Sequence, residues 1–349
     1  MTIRAAALVG HGGPEVLQLK DLPLPEPGPG EVRVRPRAVA LNHLDVWVRK
    51  GWRGLELGFP HVVGADAAGV VDAVGEGVTD LDPGEEVVLS AGHFCGRCID
   101  CIAGRENLCS EYHLFGEHRP GCAAEAFVAP RRNLLRKPEG LDFEVAAAVG
   151  VATLTAWHML TARARLRRDE TVLVHGASSG VGCAAIQIAR HRGARVIAST
   201  SSDEKAERAA ALGADEVINY RAEDLKVRLK SLAPGGVDVV FEHTGELTWP
   251  ISVRALKVGG RLVTCGATTG HAASIDLRVL FARQLELLGS TMGTRSELAT
   301  CLELAARGPL APVIDRVLPL EEIHAGYAAL EAADHHGKIV LAVGGQGNA

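Results

Sequence analysis

Val172-Leu-Val-His-Gly176-Ala-Ser-Ser-Gly180-Val-Gly182 runs a short apolar stretch into three glycines, and the pattern then predicts a helix from Ala184 to Arg192. A glycine turn between strand and helix lets the backbone approach a pyrophosphate, whose charge the helix N-terminus favours. Such a turn is weak evidence alone, so its surroundings decide. Downstream come a strand in Gly193-Ala-Arg-Val-Ile-Ala-Ser, a helix from Lys205 to Leu212, and strands in Val237-Asp-Val-Val-Phe, Gly260-Arg-Leu-Val-Thr-Cys-Gly and Leu285-Glu-Leu-Leu-Gly-Ser. Alternation of this kind predicts an α/β, doubly wound parallel sheet. Upstream the rhythm differs. Glu31-Val-Arg-Val-Arg-Pro-Arg-Ala-Val alternates, Gly69-Val-Val-Asp-Ala-Val is apolar, and Asp82-Pro-Gly-Glu-Glu-Val-Val-Leu is a turn feeding a strand, so the first half reads as β-rich. Near Thr294 the pattern shifts again, to a helix and a closing strand at Gly337-Lys-Ile-Val-Leu-Ala-Val.

The chain has 349 residues, 47% hydrophobic and 23% charged, enough for two domains and against disorder. A net charge of −5 gives no long-range pull toward nucleic acid or anionic membrane, so the expected partner is a small molecule. Met1-Thr-Ile-Arg lacks a charged-then-apolar leader, and the longest apolar stretch, Val145 to Ala152, is short for a membrane span. A cytoplasmic protein is expected.

Of eight cysteines, four lie in Cys95-Gly-Arg-Cys98-Ile-Asp-Cys101-Ile-Ala-Gly-Arg-Glu-Asn-Leu-Cys109, with two, two and seven residues between them. One loop of that spacing can wrap four thiolates around a single Zn(II). A closed four-sulfur shell leaves no open position, so this zinc is expected to hold a loop and do no chemistry. Two disulfides are the alternative, strained by three cysteines within seven residues.

Cofactor choice falls at the end of the second strand of the later half, where an acid would accept from a ribose 2′-hydroxyl. The strand ends Ala198-Ser-Thr200-Ser201-Ser-Asp203-Glu204-Lys205. Thr200 stands at the acid's place with Ser201 beside it and Lys205 a turn away, which favours NADP(H) over NAD(H). Asp203 or Glu204 turning inward would restore the NAD preference. Ser179, Gly180 and Val181 complete the loop with Gly176 and Gly182. A similar glycine pattern occurs in short-chain dehydrogenases, which pair it with Tyr-x-x-x-Lys. None of Tyr112, Tyr220 and Tyr327 has lysine four positions on.

The cysteine loop, the later nucleotide unit and the closing Gly-Lys-Ile-Val strand together resemble the medium-chain dehydrogenase/reductase superfamily over essentially the whole chain. The resemblance implies a β-rich GroES-like catalytic domain formed by residues 1–151 and 294–349, with the zinc loop at 95–109. A Rossmann domain at 152–293 would be inserted in it, with the active site in the cleft between them. Alcohol dehydrogenases of that family hold a catalytic zinc at positions matching Asn42, Ala65 and Val151, none of which keeps its donor type. Leu44 and Trp47 stand where the family's proton relay is usual. Asn42-His-Leu-Asp-Val-Trp-Val-Arg-Lys-Gly51 is similar to the zinc-independent quinone oxidoreductase branch, although that branch generally lacks the cysteine loop and commonly has glycine at the place of Ser179.

An alkoxide is usually obtained by metal coordination. Without it, an acceptor that spreads the arriving charge, a quinone or α,β-unsaturated carbonyl compound, is the better substrate. The resemblance gives Asn42 the role of orienting the substrate carbonyl or the nicotinamide ribose, and Asp45 that of fixing its loop. It assigns His43, Thr155, Tyr220 and Lys338 to the cofactor, and Gly266, Met292 and Gly293 to the frame of the nicotinamide carboxamide. Pairing through Leu287 to Thr291 would give a homodimer or homotetramer. Two alternatives stand beside this reading: an alcohol dehydrogenase with substitute metal ligands, and a dinucleotide-binding protein without turnover.

Overall fold

The computed structural model describes residues 1–344, and these divide into two compact units. One comprises Met1–Ala152, Thr294–Gly308 and residues 312–344; the other comprises Thr153–Gly293 and Pro309–Ala311.

The first unit is built on antiparallel pairing. Strand Glu31–Ala40 is its spine, flanked by Asp66–Val74 on one side and Lys338–Ala342 on the other, with Glu86–Leu89, Leu134–Arg136, Ile314–Pro319 and Phe127–Pro130 completing a mixed seven-stranded sheet. The alternation in residues 31–39 is that of a strand with one buried face: Val32 and Val34 are buried, while Arg35 and Arg37 are exposed. Pro36, which cannot donate to a ladder, sits at a register irregularity between Pro36 and Ala38. Leu8, Leu17, Leu41, Val46, Phe115, Leu134, Tyr327 and Ile339 fill the core.

The second unit has the expected doubly wound form. Six parallel strands lie in the order Glu216–Asn219, Arg195–Thr200, Thr171–Val174, Val237–Glu242, Leu256–Thr264, Glu286–Gly289. The order reverses between Thr171–Val174 and Val237–Glu242, and the loop after the first strand at such a switch point is where open α/β sheets bind ligands. Helix Gly180–His191 comes directly after that loop, four residues earlier than the sequence pattern suggests, because Ser179 caps it.

Helix Phe143–His158 continues through a wider turn, Met159–Arg163. The 21 residues are long and apolar enough to cross a membrane by length and composition, well beyond the stretch 145–152 that stands out in the sequence. Of its most apolar window, 72% is buried inside the protein, as expected of a core helix.

Candidate active site and metal centre

In the first unit, strand register gathers residues far apart in the chain. Ala40 pairs with Asp66 on one side and with Val340 on the other. Two residues beyond Ala40, Asn42 is brought level with Lys338, while Asp66 stands at the start of its strand. The Lys338 ammonium donates to Asn42 Oδ1 at 2.5 Å and to Asp66 Oδ2 at 3.1 Å. Asn42 Nδ2 donates to Asp66 Oδ2 at 2.9 Å and to the Ala40 carbonyl at 3.3 Å. All three side chains are buried.

Asp66 Oδ1 accepts from the Val151 amide at 2.7 Å. It reaches that amide because helix Phe143–His158 kinks at Gly150, with φ −36° and ψ −118°. A Cβ at Gly150 would lie 2.0 Å from the same oxygen, so only glycine lets the carboxylate in. Asn42 and Val151, two of the three positions where the resemblance expects metal ligands, thus both bond to the carboxylate of Asp66, and the third, Ala65, precedes it in the chain. Sequence reasoning does not reveal Asp66 as the hub. The available signal is the pairing of a buried strand-start acid with the lone lysine of the closing strand.

Both N–H groups of Asn42, the residue expected to orient the substrate carbonyl or the nicotinamide ribose, are committed inside the chain. Two of the three donors of Lys338 are used. Asp45 opens helix His43–Lys50, where Oδ2 accepts from the Asn42 amide at 2.7 Å and Oδ1 from Gly64 at 3.3 Å. Burial pushes the Asp45 carboxyl up to about 6, against those amide bonds and the opposing pull of Lys338. His43 packs edge-on against Trp47 at 5.2 Å.

The cysteine loop lies in the same unit. The sulfurs of Cys95, Cys98, Cys101 and Cys109 are all within 4.8 Å of one another, and among the described residues no other group of three or more Cys, His, Asp or Glu converges in this way. Cys95 and Cys101 sulfurs are 3.8 Å apart, close to the edge of a tetrahedron with zinc–sulfur bonds of about 2.3 Å. Backbone amides of Arg97 and Cys98 point at Cys95, that of Cys101 at Cys98, and those of Cys95 and Glu111 at Cys109. Those amides pull the Cys95 thiol down to about 6, whereas desolvation and neighbouring sulfurs push Cys101 up to about 12. Four thiols so placed cannot all ionise without a cation among them, so the residues fit Zn(II).

In the second unit, Ser179 Oγ accepts from Gly182 N at 3.0 Å and donates to Gly176 O at 2.8 Å, which ties the glycine loop to the helix start. Gly176 has φ +59°, and a Cβ at Gly182 would sit 2.2 Å from Gly176 O. The loop therefore turns tightly with its amides at a helix N-terminus, a form that fits a pyrophosphate. Gly180 and Val181 lie in the first turn.

Behind the loop runs a buried chain the sequence does not disclose. His175 Nδ1 is 2.9 Å from Ser199 Oγ and Nε2 is 3.0 Å from Ser252 Oγ, which donates to Glu242 Oε2 at 2.6 Å. One neutral tautomer satisfies every member: Ser199 donates to Nδ1, and Nε2–H donates to Ser252. Burial lowers the His175 pKa and so favours that neutral form. Burial also lowers His243, whose ring packs where a Gly176 Cβ would be.

Thr200 ends strand Arg195–Thr200 with Oγ1 buried and unpartnered among the described residues. Ser201 is next in the chain, and Ser202 caps helix Asp203–Leu212 by accepting from the Lys205 amide. Asp203 accepts from Asn219 at 2.7 Å, and Glu204 pairs with Arg208 at 2.7 Å, so neither acid points to an unpaired position. Tyr220 is about half exposed and bonds Thr200 O through its amide. Thr155 Oγ1 donates to Met292 Sδ at 3.8 Å. Met292 holds φ +52° before Gly293, and Gly266 abuts the His243 carbonyl.

Residues 28–139 match the alcohol dehydrogenase GroES-like domain, and residues 180–307 match the zinc-binding dehydrogenase family. A quinone oxidoreductase of Pseudomonas aeruginosa is 34% identical, with 93% of this chain and 92% of that protein aligned. An acryloyl-coenzyme A reductase of Metallosphaera sedula is 33% identical over 97% of this chain and 99% of its own. A solved structure described as an NAD-dependent alcohol dehydrogenase superposes with a TM-score of 0.94 at 49% identity, covering 98% of this chain and all of that one. With both family models matched and these relatives aligned nearly end to end, the chain belongs to the medium-chain dehydrogenase/reductase superfamily of oxidoreductases.

Proposed function

We propose that this chain reduces a quinone or an α,β-unsaturated carbonyl compound with NADPH, in the cytoplasm, using zinc only in the cysteine loop. The observation that carries the reading is the Asn42–Asp66–Lys338 cluster. It sets an ammonium among the positions at which related alcohol dehydrogenases keep metal ligands, and it offers neither thiolate nor imidazole there. NADPH, when bound, supplies the hydride.

Lys338 keeps one N–H for a carbonyl oxygen that gains charge, while Asp66 and Asn42 hold the ammonium in place. A single charge-assisted donor stabilises charge already spread by conjugation, whereas an unactivated alcohol needs a stronger electrophile. Asn42 is then a positioning residue, and Asp45 secures its loop. Gly176, Ser179, Gly180, Val181 and Gly182 would cradle the pyrophosphate, with His43, Thr155, Tyr220, Gly266, Met292 and Gly293 as further cofactor contacts. NADPH is favoured over NADH because Thr200, Ser201 and Lys205 supply donors, while Asp203 and Glu204 are held by Asn219 and Arg208. Eight free cysteines suit a reducing compartment. Strand Glu286–Gly289 ends the six-stranded sheet, and pairing of that edge with a second copy would give a homodimer.

The solved relative described as an NAD-dependent alcohol dehydrogenase, at 49% identity, favours a second reading, alcohol oxidation with NAD. Metal counting together with NADPH consumption separates the two. One zinc per chain with turnover of 9,10-phenanthrenequinone is expected. Two zincs, or ethanol oxidation that rivals quinone reduction, would replace the proposal with the second reading.

A further inference from the structure

The first unit carries a cavity of about 640 Å³ that shares no residue with the Asn42 cluster. Its walls include Arg119, Arg131, Arg132 and Arg295 against two acids, Glu31 and Asp80. Volumes of this order suit a small ligand.

The charges do not cancel. Arg131 clasps both oxygens of Asp80, at 2.9 and 2.8 Å, and is thereby matched. Arg132 lies over the Phe94 ring at 5.6 Å; Arg119 lies over Phe115 at 5.8 Å and rests against His93 Nε2 at 3.3 Å. Neither has a carboxylate partner among the described residues, and the same holds for the Arg295 side chain. Burial lowers the Arg295 pKa, Glu106 pulls the other way, and Arg131 and Arg132 add like charge. Its buried Nε is unpartnered among the described residues. Glu106 spends Oε1 on the Arg295 backbone amide and does not line the cavity. Among the lining residues three guanidinium groups therefore stand against one carboxylate, Glu31, a surplus of two positive charges on the walls that Glu106, outside them, offsets only from the Arg295 side.

Keeping like charges together costs free energy unless something of opposite sign arrives. Guanidinium forks match phosphate oxygens closely, and a phosphate dianion neutralises a surplus of two. We propose that this cavity is a binding site for a phosphoryl group of a small molecule, separate from the dinucleotide loop, with Arg119, Arg132 and Arg295 as its ligands.

Inorganic phosphate is the probe, with NADP⁺ present at saturation so that the glycine loop is occupied. Binding is followed by ³¹P line broadening and by calorimetry at fixed ionic strength. Wild-type protein is expected to bind one phosphate in preference to chloride. Arg132→Ala and Arg295→Ala should each weaken it at least tenfold while NADPH oxidation with 9,10-phenanthrenequinone stays within twofold. Should either variant misfold by circular dichroism, Arg119→Gln, which keeps much of the side chain's bulk, provides the same comparison. Absence of phosphate binding by the wild type, or binding that all three variants leave unchanged, overturns the proposal. So does a fall in assembly mass in the variants with phosphate affinity intact, which would mean that acids of a second copy fill the cavity.

Discussion

Replacing Lys338 with methionine tests the buried cluster at its centre. Methionine keeps most of the length and apolar stem but removes the charge, leaving Asp66 fully buried with only the Asn42 and Val151 N–H groups to hold its oxygens. Coulomb's law across the 3.1 Å contact, at an effective dielectric of about 20, gives about 5 kcal/mol of attraction. Breaking a buried pair from one side typically costs about 3–5 kcal/mol, because an uncompensated charge stays behind. The expected loss for Lys338→Met is in that range. Asp66→Asn combined with Lys338→Met removes both charges and should cost about 1–2 kcal/mol, set by imperfect hydrogen bonds. Urea unfolding at pH 7, followed by tryptophan fluorescence, measures each variant. The reasoning fails if Lys338→Met costs under about 1 kcal/mol, or if the single losses simply add in the double variant.

Asp45 supplies a pH signature. Its folded pKa lies near 6 against 3.8 unfolded, so between those values the folded state binds more protons and stability falls as pH rises. The whole drop is about 3 kcal/mol. Comparing the wild type with Asp45→Asn at pH 4 and pH 7 should show the wild type losing ground by most of that amount at the higher pH. Gly182→Ala puts a methyl 2.2 Å from Gly176 O and should weaken NADPH binding by at least about tenfold, read by fluorescence titration. Cys109→Ser should release zinc more than about tenfold more readily to a chelator, followed with a colorimetric dye, while an unchanged off-rate would remove the metal from that loop. Thr200→Asp should turn the preference toward NADH, measured as the ratio of kcat/KM values for the two cofactors, because a carboxylate repels a 2′-phosphate.

The fold is readable because its signals are local. Glycine turns after apolar runs mark strand, loop and helix in the second unit, and alternation at Glu31–Val39 marks the spine of the first. The four cysteines announce their own proximity by spacing alone. The cluster around Asp66 is not readable in the same way. Its members lie at positions 42, 66, 150–151 and 338, and only strand register and one kinked glycine bring them together. The resemblance singles out Asn42, Ala65 and Val151 as positions without the family's donor types, but the carboxylate that links them is not legible there. His175 likewise looks like an ordinary strand-end residue, since its partners Ser199, Ser252 and Glu242 come from other strands and a helix. The apolar helix outruns the stretch 145–152 because past Ala152 threonines interrupt the Leu, Ala, Trp and Met residues, so only the average over the longer span registers it.

The Asp66–Lys338 contact spans 272 residues of chain, and that separation dictates an order of events. Closing so long a loop is entropically slow, and Asp66 cannot be compensated until the strand carrying Lys338 docks beside Glu31–Ala40. Any earlier collapse of the β-rich core would bury the carboxylate with only the Asn42 and Val151 N–H groups and no countercharge. The molecule thus carries its own inspection step: partial chains are penalised at the cluster on which the proposed chemistry rests, and a compensated Asp66 arrives together with completion.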